Sequence, residues 1–181
     1  MNPAGVINVV TGPANVIGPV LTKSPVVRKL SFTGSTDVGK RLMAESADTL
    51  KKLSLELGGN APFIVFDDAN LDEAVRGAML SKFRNSGQTC VCANRFLVQD
   101  SVYDLFVEKL AAAVAKLEIG AGWEDNVTQG PLINELALTR VQGLLSDLQG
   151  TGASIVCGGH SHKRGGLFFE PTIVRDVSND S

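Results

Sequence analysis

Cysteine, histidine and long apolar runs are scarce in this chain, and each scarcity excludes a class of protein. The three cysteines among 181 residues are odd in number and irregularly spaced, so they do not form the disulfide framework of a small secreted domain. No apolar run approaches the roughly 18 residues of a membrane span. There is no block of basic residues and the net charge is −2, which argues against nucleic acid as a partner.

The ends of the chain suggest a cytoplasmic piece of a longer protein. The first residues show neither the charged start nor the apolar stretch of a secretory signal. Free cysteines are typical of a reducing compartment, so we expect a cytoplasmic location. Strand-like runs lie almost at the start, at Val6–Val10, and close to the end, at residues 172–174. We therefore expect this chain to be a fragment.

Strand and helix patterns alternate along the chain, which is 44% hydrophobic and able to build a core. Short β-branched or apolar runs at residues 6–10, 28–33 and 53–57 read as strands, with helical patterns between them. A second alternation follows the glycines at residues 58–59. This order predicts an α/β fold with parallel βαβ units, and we place a domain boundary between residues 57 and 58.

A glycine-rich turn at residues 34–41, GSTDVGKR, lies between a predicted strand and a predicted helix. Backbone N–H groups and the helix dipole at such a turn can bind a phosphate. An ordinary tight turn is an equally good interpretation. Arg41 stands where a P-loop NTPase needs Ser or Thr for Mg²⁺, and the dinucleotide pattern GxGxxG is not met.

Cys90 lies in a small polar loop, three residues after Gly87. A loop of this kind can present a thiolate to a cleft, whereas most free cysteines are small buried hydrophobes. Cys157 ends an apolar run and is interpreted as structural. The spacing of Cys90 and Cys92 is too short for a usual metal pair, so no metal is predicted. The two histidines lie in a polar loop and are interpreted as solvated.

Glu56 lies between Leu55 and Leu57 at the end of an apolar strand, which two glycines follow. Such a carboxylate is either an exposed strand residue or a functional one. The carboxyl ends of parallel strands face the ligand crevice of an α/β fold. A partly desolvated glutamate at that place can act as a general base near neutral pH.

Three stretches together resemble the aldehyde dehydrogenase superfamily, and the likeness covers essentially the whole chain. They are residues 32–39 (FTGSTDVG), 55–60 (LELGGN) and 87–90 (GQTC), with the glutamate 34 positions before the cysteine. Within the superfamily, residues 83–85 (FRN) and 90–95 (CVCANR) most closely resemble the succinate-semialdehyde dehydrogenases.

The resemblance implies a fold and a reaction. The fold is a partial parallel-sheet, Rossmann-type cofactor domain followed by part of an α/β catalytic domain. The reaction is oxidation of succinate semialdehyde, or a similar carboxylated aldehyde, with NAD or NADP. Cys90 forms a thioester with the substrate, its backbone N–H helps to hold the oxyanion, and Glu56 activates the water that releases the acid.

The resemblance also implies roles for other residues. Arg84 binds the substrate carboxylate, and Cys92 is a possible redox partner of the nucleophile. The residues expected at the cofactor are Gly34 and Ser35 at the pyrophosphate, Val38 at the adenine, Gly39 in close helix–strand packing, and Leu57 near the nicotinamide.

This chain is much shorter than a full enzyme of that superfamily, which sets the remaining expectations. Residues 1–57 are expected to form the second half of the NAD(P)-binding domain and residues 58–181 the first part of the catalytic domain. Alone, such a fragment is expected to be poorly active, and the full-length protein is expected to be a homo-oligomer, a dimer or tetramer. Two alternatives stay open: a non-catalytic nucleotide-binding module of the same fold, and an NTPase.

Overall fold

The computed structural model describes residues 3–178, and the chain separates into two compact units between Gly59 and Asn60. Met1 and Asn2, on which the expectation about a secretory signal partly rests, lie outside the described residues, as do residues 179–181. The division falls where the first strand–helix alternation gives way to the second. Which domain of an enzyme each unit represents stays a prediction.

The first unit alternates helix and strand around a two-stranded parallel sheet. Its elements are α1 (Ala14–Lys23), β1 (Lys29–Gly34), α2 (Thr36–Ser46), a short 3-10 helix (Ala47–Thr49) and β2 (Lys52–Leu57). Strands β1 and β2 pair in parallel, from Lys29 opposite Lys52 to Gly34 opposite Leu57. Because parallel neighbours require a crossover connection, helix α2 joins them. The predicted βαβ unit is confirmed.

Strand β2 shows why the chain folds in this register. Its leucines at positions 53, 55 and 57 are half-buried and alternate with exposed Lys52, Ser54 and Glu56. Successive side chains of a strand point to opposite faces, so the leucines share one face. Leu57 contacts helix α2 at Gly39, which shows that the leucine face is the one covered by the helix.

The strand predicted over Val6–Val10 is wrong. This segment has no regular secondary structure, and Val6, Ile7, Val9 and Val10 are each at least 60% exposed. A strand needs a neighbour that satisfies its backbone N–H and C=O groups. Within residues 3–59 the sheet consists of β1 and β2 alone, so this apolar run finds no partner there.

The second unit contains two small sheets, three α-helices and one 3-10 helix among its described residues. Its elements are β3 (Ala61–Val65), α3 (Leu71–Lys82), a 3-10 helix (Arg84–Gly87), β4 (Ala93–Val98), α4 (Asp100–Val114), α5 (Glu135–Asp147), β5 (Ser154–Cys157) and β6 (Ile173–Arg175). Strands β3 and β4 are parallel, and β5 and β6 are antiparallel.

Helices α3 and α4 pack with strand β3 to form the core of the second unit. Its buried residues are Val65, Val75, Ala78, Phe106, Leu110 and Val114. Helix α3 begins after Asn70, whose side-chain oxygen accepts hydrogen bonds from the N–H groups of Asp72 and Glu73 at 3.1 and 3.2 Å. A capped, well-packed α3 gives a rigid support to the loop that follows it.

The α-helices of both units are short, from 10 residues in α1 to 15 residues in α4. Among residues 3–178, none has both the length and the apolar character needed to cross a membrane.

Candidate active site

The carboxyl ends of β1 and β2 bring the predicted cofactor residues and Glu56 together in the first unit. Gly34 lies opposite Leu57 in the parallel ladder, and Thr33 lies opposite Glu56. The turn after β1 and the end of β2 therefore share one edge of the sheet. In parallel α/β sheets this edge is where ligands bind.

Ser35 caps helix α2 at this edge. Its side-chain oxygen accepts a hydrogen bond from the Val38 N–H at 3.3 Å, while the first-turn N–H groups of Thr36 and Asp37 have no intrahelical acceptor by the geometry of a helix. Gly34 and Ser35 are exposed. The turn can therefore offer N–H groups and the positive end of the helix dipole to a phosphate, whereas the Asp37 carboxylate in the first turn opposes an anion.

Gly39 allows helix α2 to lie directly on strand β2. A Cβ atom built on Gly39 would lie 2.6 Å from Cδ2 of Leu57 and 3.1 Å from Cδ1. Contacts this short do not occur between real atoms, so any larger residue at position 39 must displace Leu57. The structure therefore shows the close helix–strand approach predicted for Gly39, with Leu57 as the residue approached.

Glu56 lies on the face of β2 opposite the leucines. It is exposed, and no hydrogen bond or ion pair joins it to another of the described residues. The partial burial expected from the sequence is therefore not supplied by the first unit, because the alternation of the strand directs this side chain away from α2.

The P-loop alternative gains no support from the same turn. Arg41, which replaces the required hydroxyl residue, instead forms an i, i+4 ion pair with Glu45, with 3.6 Å between the charged atoms. A guanidinium in this place cannot coordinate Mg²⁺, because it has no lone pair to give.

In the second unit, the two neighbouring cysteines have opposite environments. Cys90 is exposed at the tip of the loop between the 3-10 helix and β4, whereas Cys92 is only 2% exposed. The Cys92 sulfur lies 2.8 Å from the hydroxyl oxygen of Thr89 and donates to the Lys82 carbonyl at 3.6 Å. Cys92 is therefore the buried, structural cysteine, and Cys90 is not. A redox role for Cys92 stays a prediction.

The backbone before Cys90 is held in an unusual conformation. Asn85, Ser86 and Gly87 all have left-handed φ values, of 52°, 55° and 73°. Gly87 is needed there, because a Cβ atom would also lie 3.1 Å from the Lys82 carbonyl oxygen. Non-glycine residues in this region cost about 1–3 kcal/mol each and persist where the surroundings hold them. Such strain is a frequent property of functional loops.

Hydrogen bonds from residues 129–133 hold the loop in place. The Gln129 side chain is buried and donates to the Phe83 carbonyl at 2.8 Å, and the Ser86 hydroxyl donates to the Gly130 carbonyl at 3.0 Å. The Gln88 amide contacts the same segment. Sequence reasoning missed these supports, because the segment lies about 40 residues further along the chain and carries no chemical motif of its own.

Lys82 is a second residue that the sequence analysis missed. It ends α3, donates a hydrogen bond to the side chain of Asn94 and packs against Gly87. Burial lowers the pKa of the Lys82 ammonium below its ordinary value, and the neighbouring Cys92 thiol acts in the opposite direction. A lysine at the end of a helix is usually a solvated cap, so nothing in the sequence marked it.

Arg84 opens the 3-10 helix and lies on the same loop as Cys90. Its side chain is exposed, and it forms no ion pair with a carboxylate of the part of the chain that the structure describes. A guanidinium left without a partner can bind a carboxylate through two parallel N–H donors. The structure is thus compatible with the predicted role, which stays a prediction.

The two histidines do not form a metal site. Between residues 3 and 178, no group of three or more His, Cys, Asp or Glu side chains could hold a metal ion. His160 is exposed as predicted, but the His162 side chain is only 11% exposed and its Nε2 lies 3.9 Å from the Glu170 carboxylate. The loop folds back through the bridge between Ser161 and Phe169, so the solvated interpretation is wrong for His162.

We expect iodoacetamide to label Cys90 well before Cys92 and Cys157. Cys90 is exposed and Cys92 is buried. Burial raises the pKa of the Cys157 thiol above its ordinary value of 9.0, and the thiolate is the reactive form. Labelling at Cys157 should therefore still accelerate as the pH increases beyond 9.0. Peptide-resolved mass spectrometry over a pH series measures all three rates, and faster labelling of Cys157 than of Cys90 at neutral pH would contradict the expectation.

Comparison with protein families gives one assignment for the whole chain. The model described as the aldehyde dehydrogenase family matches residues 2–181. The match includes the turn after β1, the end of β2 and the cysteine loop.

Individual relatives are similar over nearly all of this chain. The NADP(+) succinate-semialdehyde dehydrogenase GabD of Escherichia coli is 63% identical over 175 residues, which are 97% of this chain and 36% of the relative. A glutarate-semialdehyde dehydrogenase of Pseudomonas aeruginosa is 61% identical over 99% of this chain and 37% of its own length. The crystal structure of succinate-semialdehyde dehydrogenase from Burkholderia pseudomallei superposes with a TM-score of 0.96 at 59% identity, covering 99% of this chain and 37% of that one.

The chain thus spans little more than a third of the length of the relatives it matches. It is similar to the solved structure over 99% of its length, as a mixed structure of helices and strands in which two of the three described sheets are parallel.

Proposed function

This chain belongs to the aldehyde dehydrogenase family, and from that premise we propose that the full-length protein oxidises a carboxylate-bearing aldehyde to its acid. The observation that carries the proposal is the loop with exposed Cys90 and unpaired Arg84. It offers a nucleophile and an anion-binding cation on one rigid support. The preferred substrate is succinate semialdehyde.

Cys90 is proposed as the nucleophile. Its thiolate adds to the aldehyde carbon, and the oxygen of the adduct becomes an oxyanion. The backbone N–H of Cys90 makes no hydrogen bond to the described carbonyls, so it is available as an oxyanion donor. Donors of this kind each contribute about 2.7–4 kcal/mol to the transition state. Loss of a hydride then leaves a thioester on Cys90.

Glu56 is proposed as the general base for hydrolysis of that thioester. The exposed carboxylate takes a proton from water, and the resulting hydroxide attacks the acyl carbon, which frees the acid and the thiol. Because Glu56 is paired in the β1–β2 ladder one residue before the end of β2, where parallel sheets bind ligands, its backbone position is well defined even though its side chain is free.

NAD or NADP is proposed as the cofactor, and the first unit carries residues that fit it. When bound, the nicotinamide supplies the hydride acceptor. Gly34 and Ser35 would lie at its pyrophosphate, with the N–H groups at the start of α2 as donors. Val38 and Leu57 are assigned to the adenine and nicotinamide sides by family resemblance. The residues described here do not select between NAD and NADP.

The two units would then have separate roles. We assign residues 1–57 to the second half of the NAD(P)-binding domain, because the phosphate turn lies there, and residues 58–181 to the first part of the catalytic domain, because the thiol lies there. The three free thiols suit a cytoplasmic location, and the family resemblance suggests a homo-oligomer. Fractionation and light scattering on the natural protein test both.

Arg84→Met should lower kcat/KM for succinate semialdehyde by about 10- to 100-fold in the full-length protein, as expected for loss of a charge-assisted hydrogen bond worth about 1.5–3 kcal/mol. The same change should leave kcat/KM for the uncharged analogue butyraldehyde nearly unaltered, because that substrate has no carboxylate to bind. Steady-state rates of cofactor reduction with both aldehydes measure the difference.

Arg140→Met is the matched control, since Arg140 is exposed on α5 and makes no ion pair within the described residues. Equal decreases in kcat/KM for the two aldehydes would show that Arg84 supports the loop and does not bind the substrate carboxylate. Absence of turnover with either aldehyde, with Cys90 and Glu56 intact, would favour the non-catalytic nucleotide-binding module.

Glutarate semialdehyde should also be accepted as a substrate, because one additional methylene changes the transition-state free energy by only about 1–3 kcal/mol.

A further inference from the structure

The side-chain amide of Gln88 bridges the cysteine loop to a distant segment. Its Oε1 accepts a hydrogen bond from the Ile133 N–H at 2.9 Å, and its Nε2 donates to the Pro131 carbonyl at 3.2 Å. The Gln88 backbone is tied locally as well, because its N–H donates to the Asn85 carbonyl at 3.1 Å. One side chain therefore contacts two backbone groups in a segment more than 40 residues away.

Cys90 has no such anchor of its own. Its side chain is exposed, and it forms no hydrogen bond to another described residue. The position of the thiol must therefore come from the backbone on either side of it. After Cys90 the chain is held by the buried Cys92, and before it the chain is held at Gln88. Gln88 is two residues before Cys90 and is the last of three tethers to the 129–133 segment, after Gln129 on Phe83 and Ser86 on Gly130.

The tether at Gln88 acts against a strained backbone. The three residues before it have left-handed φ values, and such a conformation relaxes where the surroundings stop holding it. Loss of the two Gln88 side-chain hydrogen bonds would free the backbone just before Cys90. This backbone determines where the Cys90 N–H and thiol point. A displacement of about 1 Å at reacting groups can cost about a hundredfold in rate.

We propose that Gln88 is a positioning residue that sets the direction of the Cys90 thiol and N–H through its bridge to Pro131 and Ile133. The proposal rests on the proposed function of Cys90 as the nucleophile. It assigns no contact between Gln88 and substrate or cofactor. The amide is suited to this role, because the bridge needs one donor and one acceptor at the end of a side chain of this length.

The chemistry of the bridge makes a pH-dependent variant possible. In Gln88→Glu, the protonated carboxyl group can still donate to the Pro131 carbonyl and accept from the Ile133 N–H. The ionised group has only acceptors and places negative charge against the Pro131 carbonyl oxygen. Gln88→Met has a similar length and forms neither hydrogen bond at any pH, so it separates loss of the bridge from the added charge.

Acylation of Cys90 by p-nitrophenyl acetate tests the proposal without any cofactor. Sulfur forms a bond to the acetyl carbon and p-nitrophenolate leaves, so absorbance at the isosbestic wavelength of p-nitrophenol and its anion reports the rate at every pH. In the full-length protein at neutral pH, both variants should acylate about tenfold more slowly than wild type. The ratio of the Gln88→Glu rate to the wild-type rate should increase as the pH falls from about 8 towards about 5, nearer the ordinary glutamate pKa of about 4.3. The ratio for Gln88→Met should stay constant.

Controls separate positioning from unfolding. Gln142→Glu introduces the same charge on the exposed surface of α5 and should acylate at the wild-type rate. Iodoacetamide labelling of Cys157 should stay slow in both Gln88 variants, because the fold around it is intact. In aldehyde oxidation, kcat should fall with KM for the aldehyde little changed.

Two results would overturn the proposal. One is acylation within about twofold of wild type for both Gln88 variants. The other is faster labelling of Cys157 in step with the loss of acylation, which would indicate general loosening. Full aldehyde oxidation by a Cys90→Ala protein would refute the proposed function of Cys90. This outcome is distinct from the two results that would refute the role of Gln88.

Discussion

Replacing Cys90 by alanine in the full-length protein should lower the rate of aldehyde oxidation by at least about a thousandfold, because the alanine side chain cannot form the covalent bond to the aldehyde carbon. Alanine removes the sulfur and keeps the backbone N–H. Since the Cys90 side chain is exposed and unbonded within the described residues, the fold should lose little stability. Cofactor reduction with succinate semialdehyde and a thermal melt measure the two effects.

Cys157→Ala is the control for this experiment. That thiol is half-buried near the Pro171 carbonyl, at 4.0 Å, and packs against the core of the second unit. Its removal leaves a small cavity and lowers the free energy of unfolding by about 1 kcal/mol, while turnover should stay near wild type. Turnover that survives Cys90→Ala but is lost in Cys157→Ala would reassign the nucleophile.

Glu56→Gln should separate formation of the thioester from its hydrolysis. Glutamine keeps the size of the side chain and cannot accept a proton from water, so acylation proceeds and release of the acid fails. We expect one equivalent of reduced cofactor per active site in a rapid burst, followed by a steady state lowered by about 10²- to 10⁴-fold. Stopped-flow absorbance records both phases.

Glu108→Gln is the matched control, since Glu108 is exposed on α4 and has no ion-pair partner within the described chain. It should show no burst beyond that of wild type. If Glu56→Gln slows the first turnover as much as the later ones, Glu56 does not act specifically in hydrolysis. Intact acyl protein, detected by mass spectrometry after the burst, would support the assignment directly.

Local pattern was enough to predict most of the elements. The leucine alternation in β2 and the four-residue steps of α3 predict a strand and a helix without any knowledge of their neighbours. Asn70 marks the start of α3 in the same way. These features depend on residues within one or two turns of each other.

The apolar run Val6–Val10 shows where that reasoning fails. Its composition is that of a strand, but backbone groups form a ladder only with a partner of suitable position. Within the described first unit β1 pairs with β2 alone. Pairing is a property of two segments, so one segment cannot predict it.

The candidate reactive groups of this protein were evident in its sequence. The thiol of Cys90, the carboxylate of Glu56 and the glycine turn at Gly34 are short motifs, because reactive groups and tight turns require particular residue types. Their similarity to one family is confirmed along the whole chain. The sequence alone therefore determined which residues to test.

Only the tertiary structure decided how those residues are held. It showed that Cys90 is exposed and Cys92 buried although they are two positions apart, since the loop turns one side chain outwards and packs the other beneath Thr89 and Lys82. It also revealed the bridge from Gln88 to Pro131 and Ile133. Hydrogen bonds between segments more than 40 residues apart form no pattern in a sequence, because they depend on the path of the folded chain.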